Sequence, residues 1–442
     1  MDILGVLVMI GQFVLALSIL IGVHEAGHLL AAKAFGMRVE QFSIGFPPKI
    51  FSFKYGETVY SLGCIPLGGF VKISGMIDES LDTKQMSEEP KPYEFRAKPA
   101  WQRLIVMMGG IIVNVIIGVI VFIFITFLYG DSYISKDDLN ANGIAALGIG
   151  EEIGLKDGDK IVSVNGRDYE KMKDLLAYDV LLSDNSYYEV ERNGEIIQIP
   201  IPIDLIEKLS DEDNEEGFIS FRTTFWVDSV EENMGAINAG IKKGDKIVSV
   251  AGSPIHYYDE FRQVLQDYKG EKIPVEVVRK NKAGQEETHS MDVQIRDDGR
   301  MGFIAGYPFE PTHVSYSFGE SLVLGPKRAF QSVFVTVKAF GRMFQGKLDP
   351  RKSLKGPFGI MQQFGYEWNW FRFWSLTGLL SMILAFMNFL PIPALDGGHV
   401  AFLSYEIVSG RKPSDKFLEN AQKVGMVILL LLMVFVIFND FL

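Results

Sequence analysis

A single cysteine, Cys64, stands among 442 residues. An intrachain disulfide and a cysteine-based zinc site are both excluded. No long basic run occurs, and 43 Lys and Arg against 55 Asp and Glu leave a net charge of −12. No nucleic-acid partner is expected from such a chain. The start, Met1-Asp2-Ile3, lacks the basic region of a signal peptide, so the first apolar run is read as a retained anchor. Charge is also nearly missing from four stretches, about 4–32, 104–128, 374–395 and 424–438. The first three exceed the roughly 20 residues that span a bilayer, and the fourth needs its flanks to do so.

What is present fits a mixed membrane and soluble architecture. A hydrophobic share of 48% with mean hydropathy +0.15 is too apolar for an ordinary soluble enzyme. A charged share of 22% is too high for a purely membranous chain. Lys33, Arg38, Arg96, Lys98 and Arg103 flank the first two runs, and Arg411, Lys412, Lys416 and Lys423 lie between the last two. The positive-inside rule then places loops 33–103 and 396–423 in the cytoplasm. Both termini and residues 129–373 fall outside.

The chemistry-bearing stretch is His24-Glu25-Ala26-Gly27-His28, at the end of the first apolar run. Histidines at i and i+4 share one helical face and can hold one Zn²⁺, with the glutamate as general base on its water. Ionisable residues at membrane depth are costly, which makes them functional candidates. The bland reading is a chance match with the histidines at the interface. The third run ends Asn388-Phe-Leu-Pro391-Ile-Pro393-Ala-Leu-Asp396-Gly-Gly-His399. Two prolines must break that helix. Asp396 can complete a His₂-carboxylate site, or cap a helix starting near Gly397. His399 is the rival third ligand. Asp396 is favoured because it follows the break directly and offsets the metal's charge in a low-dielectric site.

Residues 39–75 read as a β-hairpin, since Phe51, Phe53 and Tyr55 alternate with Ser52 and Lys54 before Gly56, and Thr58, Tyr60 and Leu62 alternate after it. Its apolar content points it towards the membrane. In the second run Asn114 is the one strongly polar residue, read as an interhelical hydrogen bond. Residues 326–346 read as an amphipathic helix on the membrane surface, followed by a basic loop. The outside region holds a repeat. Gly154-Leu-Lys-Asp-Gly-Asp159-Lys-Ile-Val-Ser-Val-Asn-Gly166 recurs as Gly240-Ile-Lys-Lys-Gly-Asp245-Lys-Ile-Val-Ser-Val-Ala-Gly252. This resembles the circularly permuted bacterial PDZ domain, which binds extended peptides as an added strand.

Taken together, His24-Glu-x-x-His28, Asn388 through Asp396-Gly397, and Cys64-Ile-Pro-Leu-Gly-Gly-Phe-Val-Lys72 resemble the site-2 protease family of intramembrane zinc proteases. So does the order of four spans with two PDZ domains between the second and third. The resemblance implies zinc on His24, His28 and Asp396, with Glu25 as catalytic base. It implies substrate contact by Asn388, near the Pro391 and Pro393 break, and by the hairpin through Gly45, Phe53 and Tyr60. Here Gly45-Phe46-Pro47 departs from the family's Gly-x-Gly, and Pro47 donates no hydrogen bond. The implied substrates are transmembrane segments of single-span proteins, such as pre-trimmed anti-sigma factors or remnant signal peptides, in a bacterial inner membrane. The implied PDZ role is a substrate size filter.

The fold class expected is a four-span α-helical core with a membrane-associated β-hairpin and two tandem α+β PDZ domains. The expected divisions start with span 1 at 1–34, the hairpin loop at 35–103 and span 2 at 104–130. PDZ domains follow at 131–220 and 221–307, then the surface helix and connector at 308–372. Span 3 at 373–396, a cytoplasmic loop at 397–423 and span 4 at 424–442 complete the chain. The competing class is a peptide-binding membrane scaffold with a non-catalytic zinc site. A transporter or channel fits four spans and two PDZ domains poorly.

Overall fold

The run of leucine, isoleucine, valine and alanine after residue 3 has no breaker, and it forms one helix, Ile3–Ala34. Three further helices are long and apolar enough to cross a membrane: Ala100–Tyr129, Trp370–Phe389 and one ending at Asn439. These four are called spans 1 to 4. The computed structural model describes residues 3–76, 89–210, 217–231, 234–281 and 284–440. The chain divides into two compact units. One holds residues 1–130, 315–345 and 349–442, and the other residues 131–314 and 346–348.

In the membrane unit, span 2 is the hub and packs against spans 1 and 3, the helix Phe318–Phe344 and the helix Asp396–Ser409. Glycines make the closest crossing. A Cβ on Gly109 would lie 2.6 Å from the Gly27 carbonyl oxygen, so only glycine lets spans 1 and 2 approach so far. Gln12, a polar residue in the first half of span 1, is fully buried, and its amide donates to the Gly365 carbonyl at 3.2 Å, just before span 3. Arg103 and Glu406 pair at 2.5 Å with little exposure and tie span 2 to the helix Asp396–Ser409. Along span 4, Val427, Ile428, Leu431 and Phe438 are more than half exposed, as suits a helix against hydrocarbon.

The strands are Val39–Tyr55 and Thr58–Ile73, turning at Gly56. They make more than the expected hairpin. Residues 41–44 pair on one side with 72–69 and on the other with 59–62, which pair in turn with 54–51. Each long strand therefore folds on itself, and the sheet runs 69–73, 39–44, 58–63, 49–55. The first fold is at Gly45, whose φ is +84° and whose backbone lies against Gly63. Alternation alone cannot reveal such self-folding, because the pairing is non-local. The helix read at 326–346 begins earlier, at Phe318. There Gly325 packs on Ile123, and Arg328 donates to Thr126 Oγ1 at 3.2 Å.

The second unit has two lobes with separate cores, one around Ile144, Leu175, Tyr188 and Leu205, the other around Val227, Phe261, Val275 and Val293. The first holds the sheet Lys160–Val164, Tyr187–Arg192, Glu195–Pro200. The second holds Lys246–Val250 and Lys272–Lys280 in a four-stranded sheet. The repeated Gly-Asp of each lobe is spent on one device. Asp159 and Asp245 are at most 1% exposed, and each binds an arginine, Arg192 or Arg279, through both guanidinium arms at 2.6–2.7 Å. The same arginines donate to the Gly154 and Gly240 carbonyls. Pairing at this geometry offsets the cost of burying the carboxylate, whereas an unpaired one would be strongly destabilising.

Candidate metal centre

His24 and His28 lie one turn apart on span 1, which turns both imidazoles to one side. Span 3 stops at Phe389 because Pro391 cannot donate to the helix ladder. The chain then passes Pro393 and Ala394, a non-glycine residue held at φ +80°. Such strain costs on the order of 1–3 kcal/mol and persists only where the surroundings enforce it. Span 4 supplies part of that enforcement, since a Cβ on Gly425 would collide with the Pro393 carbonyl. The helix restarts at Asp396, capped from Leu395 without any side-chain hydrogen bond. Asp396 therefore does no capping, and its carboxylate faces the histidines.

The three groups form a near-equilateral triangle. Asp396 Oδ2 lies 3.1 Å from His24 Nε2 and 3.2 Å from His28 Nε2, and the two Nε2 atoms are 3.3 Å apart. Their side chains are only 12%, 9% and 16% exposed. Tetrahedral ligands about 2.0–2.1 Å from one centre sit about 3.3 Å apart, so the triangle has the size of a zinc face. Chemistry agrees with size. His28 Nδ1 is 2.8 Å from the Val106 carbonyl, to which only an N–H can donate, so Nε2 keeps its lone pair. Asp396 Oδ2 is buried without a well-aligned hydrogen-bond donor. These three atoms are the one group of metal-ligand character among the described residues.

Glu25 sits beside the triangle and accepts a hydrogen bond from the Val71 backbone N–H. Gly69 of the same segment lies against Ile21 and the Glu25 side chain. Asn388, the last residue but one of span 3, brings its amide within 3.4 Å of His24 Nε2. Asn114 of span 2 reaches His24 from the other side, at Nδ1. Gly110 is the point where span 2 touches both imidazoles.

The expected residues do not all gather here. His24, Glu25, His28, Asn388 and Asp396 do, and Pro391 and Pro393 form the break that aims Asp396. His399 instead lines a small cavity of about 60 Å³ with Phe95, Arg103, Phe402 and Glu406. Gly45 is buried in the fold between 39–44 and 49–55. Phe53 lies in the segment at the far edge of the sheet and stacks on Tyr60, ring centroids 5.3 Å apart. The sheet residues against Glu25 are Gly69 and Val71, from the Cys64–Lys72 motif. The limb that borders Glu25 is therefore 69–71 and not the 51–62 limb named from the alternation, because the strands fold back. Val71 showed only as part of the Cys64–Lys72 motif and Gly110 only as one of the glycines of its span, but Asn114 stood out as the one amide in the apolar run 104–128.

The model of peptidase family M50 matches residues 12–432. A regulator of sigma E protease from Haemophilus influenzae is 29% identical, with 98% of both chains covered. A protein of Pasteurella multocida named as a zinc metalloprotease is also 29% identical, again over 98% of both. The regulator of sigma-E protease RseP of Escherichia coli is 27% identical over 98% of both. A family match that opens inside span 1 and closes inside span 4 takes in the triangle and everything that holds it, and the chain belongs to peptidase family M50, the site-2 proteases, as a membrane metalloprotease.

Proposed function

We propose that this protein cuts transmembrane segments of single-span proteins within the bilayer, using zinc on His24, His28 and Asp396. The observation that carries the reading is the buried triangle with Glu25 alongside it and no fourth protein ligand among the described residues. Structural zinc sites are closed by four ligands, whereas catalytic ones keep a position open. Zinc, when bound, supplies a Lewis acid for the scissile carbonyl and makes a water acidic enough to attack near neutral pH.

The chain's own residues do the rest. Glu25 takes the proton of the attacking water and passes it to the leaving amine, as a general base and then acid. Val71 N–H holds its carboxylate in place meanwhile. On this reading Asn388 binds the carbonyl oxygen as charge builds on it, supported by its amide lying 3.4 Å from His24 Nε2. A helical peptide bond is shielded by its own ladder, so the substrate must unwind, and its freed backbone groups need partners in a dry site. Among the described residues, segment 69–73 has a strand partner on one side only, and it borders Glu25. An extended substrate adds to it as a further strand.

The lobes around Asp159 and Asp245 are read as permuted PDZ domains, and their role as a size filter that holds back substrates with bulky outside domains. Pre-trimmed anti-sigma factors and remnant signal peptides have the required form. The membrane is the bacterial inner membrane, with both termini and the lobes outside and the metal site towards the cytoplasmic end of span 1. The decisive variant is Glu25→Gln in detergent-purified protein. Cleavage of a single-span substrate should be lost while zinc stays bound. Normal turnover would remove Glu25 from the mechanism and leave the reading without its base.

A further inference from the structure

A neutral imidazole carries one N–H and one lone pair, and it ligates metal through the nitrogen that has no proton. His24 turns Nε2 to Asp396 and His28, so metal binding there requires its proton on Nδ1. That N–H then needs an acceptor, since an unpaired buried donor is costly. The group at Nδ1 is the Asn114 carboxamide, 3.2 Å away. Asn114 is fully buried, and its Oδ1 has no hydrogen-bond partner in the orientation drawn, with Nδ2 towards the ring. Amide oxygen and nitrogen have nearly the same shape and are assigned from their partners. Turning the amide over places Oδ1 on the imidazole N–H and leaves Nε2 free for metal.

The surroundings treat both histidines alike. His28 already donates from Nδ1 to the Val106 carbonyl of span 2, and Asn114 stands two turns further along the same helix. The Asn114 turn is itself pinned. Ser381 of span 3, fully buried, donates to the Asn114 backbone carbonyl at 2.8 Å. A plain interhelical hydrogen bond would not require an imidazole as partner.

We propose that Asn114 is a positioning residue that holds His24 as its Nδ1–H form, through the carboxamide oxygen, so that Nε2 can ligate zinc. The proposal rests on the zinc reading above and adds to it an oriented second layer, both parts supplied by span 2. Such outer partners are typically worth about 10–100-fold in metal affinity.

The test is the zinc dissociation constant of full-length protein in detergent, measured by chelator competition. Asn114→Ala removes the acceptor, and Asn114→Asp keeps it. The alanine variant should bind zinc about 10–100-fold more weakly, and the aspartate variant within about threefold of the original. Melting of the metal-free protein is followed in parallel, because a merely structural asparagine would lower it and spare zinc. Zinc affinity retained in Asn114→Ala, or lost equally in Asn114→Asp, overturns the proposal. His24→Ala separates the two levels. If it too binds zinc normally, the ligand assignment itself has failed; if it alone loses zinc, only the role of Asn114 falls.

Discussion

Gly110→Ala adds one methyl group where span 2 faces the metal ligands. Its Cβ would lie 2.5 Å from His28 Nε2, 2.6 Å from His24 Cε1 and 2.7 Å from His24 Nδ1. Ordinary carbon contacts begin near 3.5 Å, so the rings or the helix must yield by about 1 Å. Metal sites tolerate errors of about 0.2 Å in ligand distance. A shift of about 1 Å near the chemistry can cost about 100-fold in rate. Overpacking itself costs about 1–3 kcal/mol of stability, which a folded chain can survive. The expected result is a folded protein with kcat/KM down about 100-fold and zinc affinity down at least about tenfold. Gly118→Ala is the internal control. Its Cβ would meet Met382 Sδ at 2.6 Å and Cγ at 2.8 Å, atoms of a flexible thioether side chain that can turn aside without moving a metal ligand. It should keep most activity. Cleavage assays on a single-span substrate and zinc titration read both variants. Gly110→Ala with normal turnover and normal zinc affinity would refute the claim that span 2 abuts the ligands.

Two further outcomes concern the lobed unit. Removing residues 135–307 should allow cleavage of substrates that keep a bulky outside domain; if these stay uncut while short ones are still cleaved, the filter role is lost. Burial pushes the Asp259 carboxyl up to about 6, against attraction from Arg222 at 3.9 Å. A carboxyl that holds its proton more tightly when folded lowers stability as pH rises from about 4 to 6, and the full cost stands above 6. Asp259→Asn should therefore stabilise the full chain at pH 8, by about 1 kcal/mol once solvent screening of this partly exposed group is allowed for, and change little at pH 4. Thermal denaturation at both pH values measures this, and an equal effect at each would contradict it.

Much of the site was legible because its signals are local. His24 and His28 announce themselves by i, i+4 spacing, and Pro391 and Pro393 force the break before Asp396 whatever packs around them. The four apolar runs give four helices for the same reason, since length and composition settle the matter residue by residue. What stayed hidden depends on partners far along the chain. Asn114 was visible as a polar oddity, but His24 lies 90 residues earlier and nothing in either stretch names the other. Arg192 and Arg279 look like ordinary strand residues until the Gly-Asp turns close on them. The alternation around Phe53 gives a strand truthfully and says nothing of which edge meets Glu25, because that is decided where Gly45 folds the sheet.

The central claim is that Asp396, with His24 and His28, binds catalytic zinc. The direct measurement is zinc content and cleavage for Asp396→Ala and His399→Ala, purified side by side. The geometry predicts that Asp396→Ala loses activity and binds zinc weakly, while His399→Ala, outside the group of three ligand atoms, largely keeps both. Zinc and activity retained without Asp396, or lost without His399, would contradict the account.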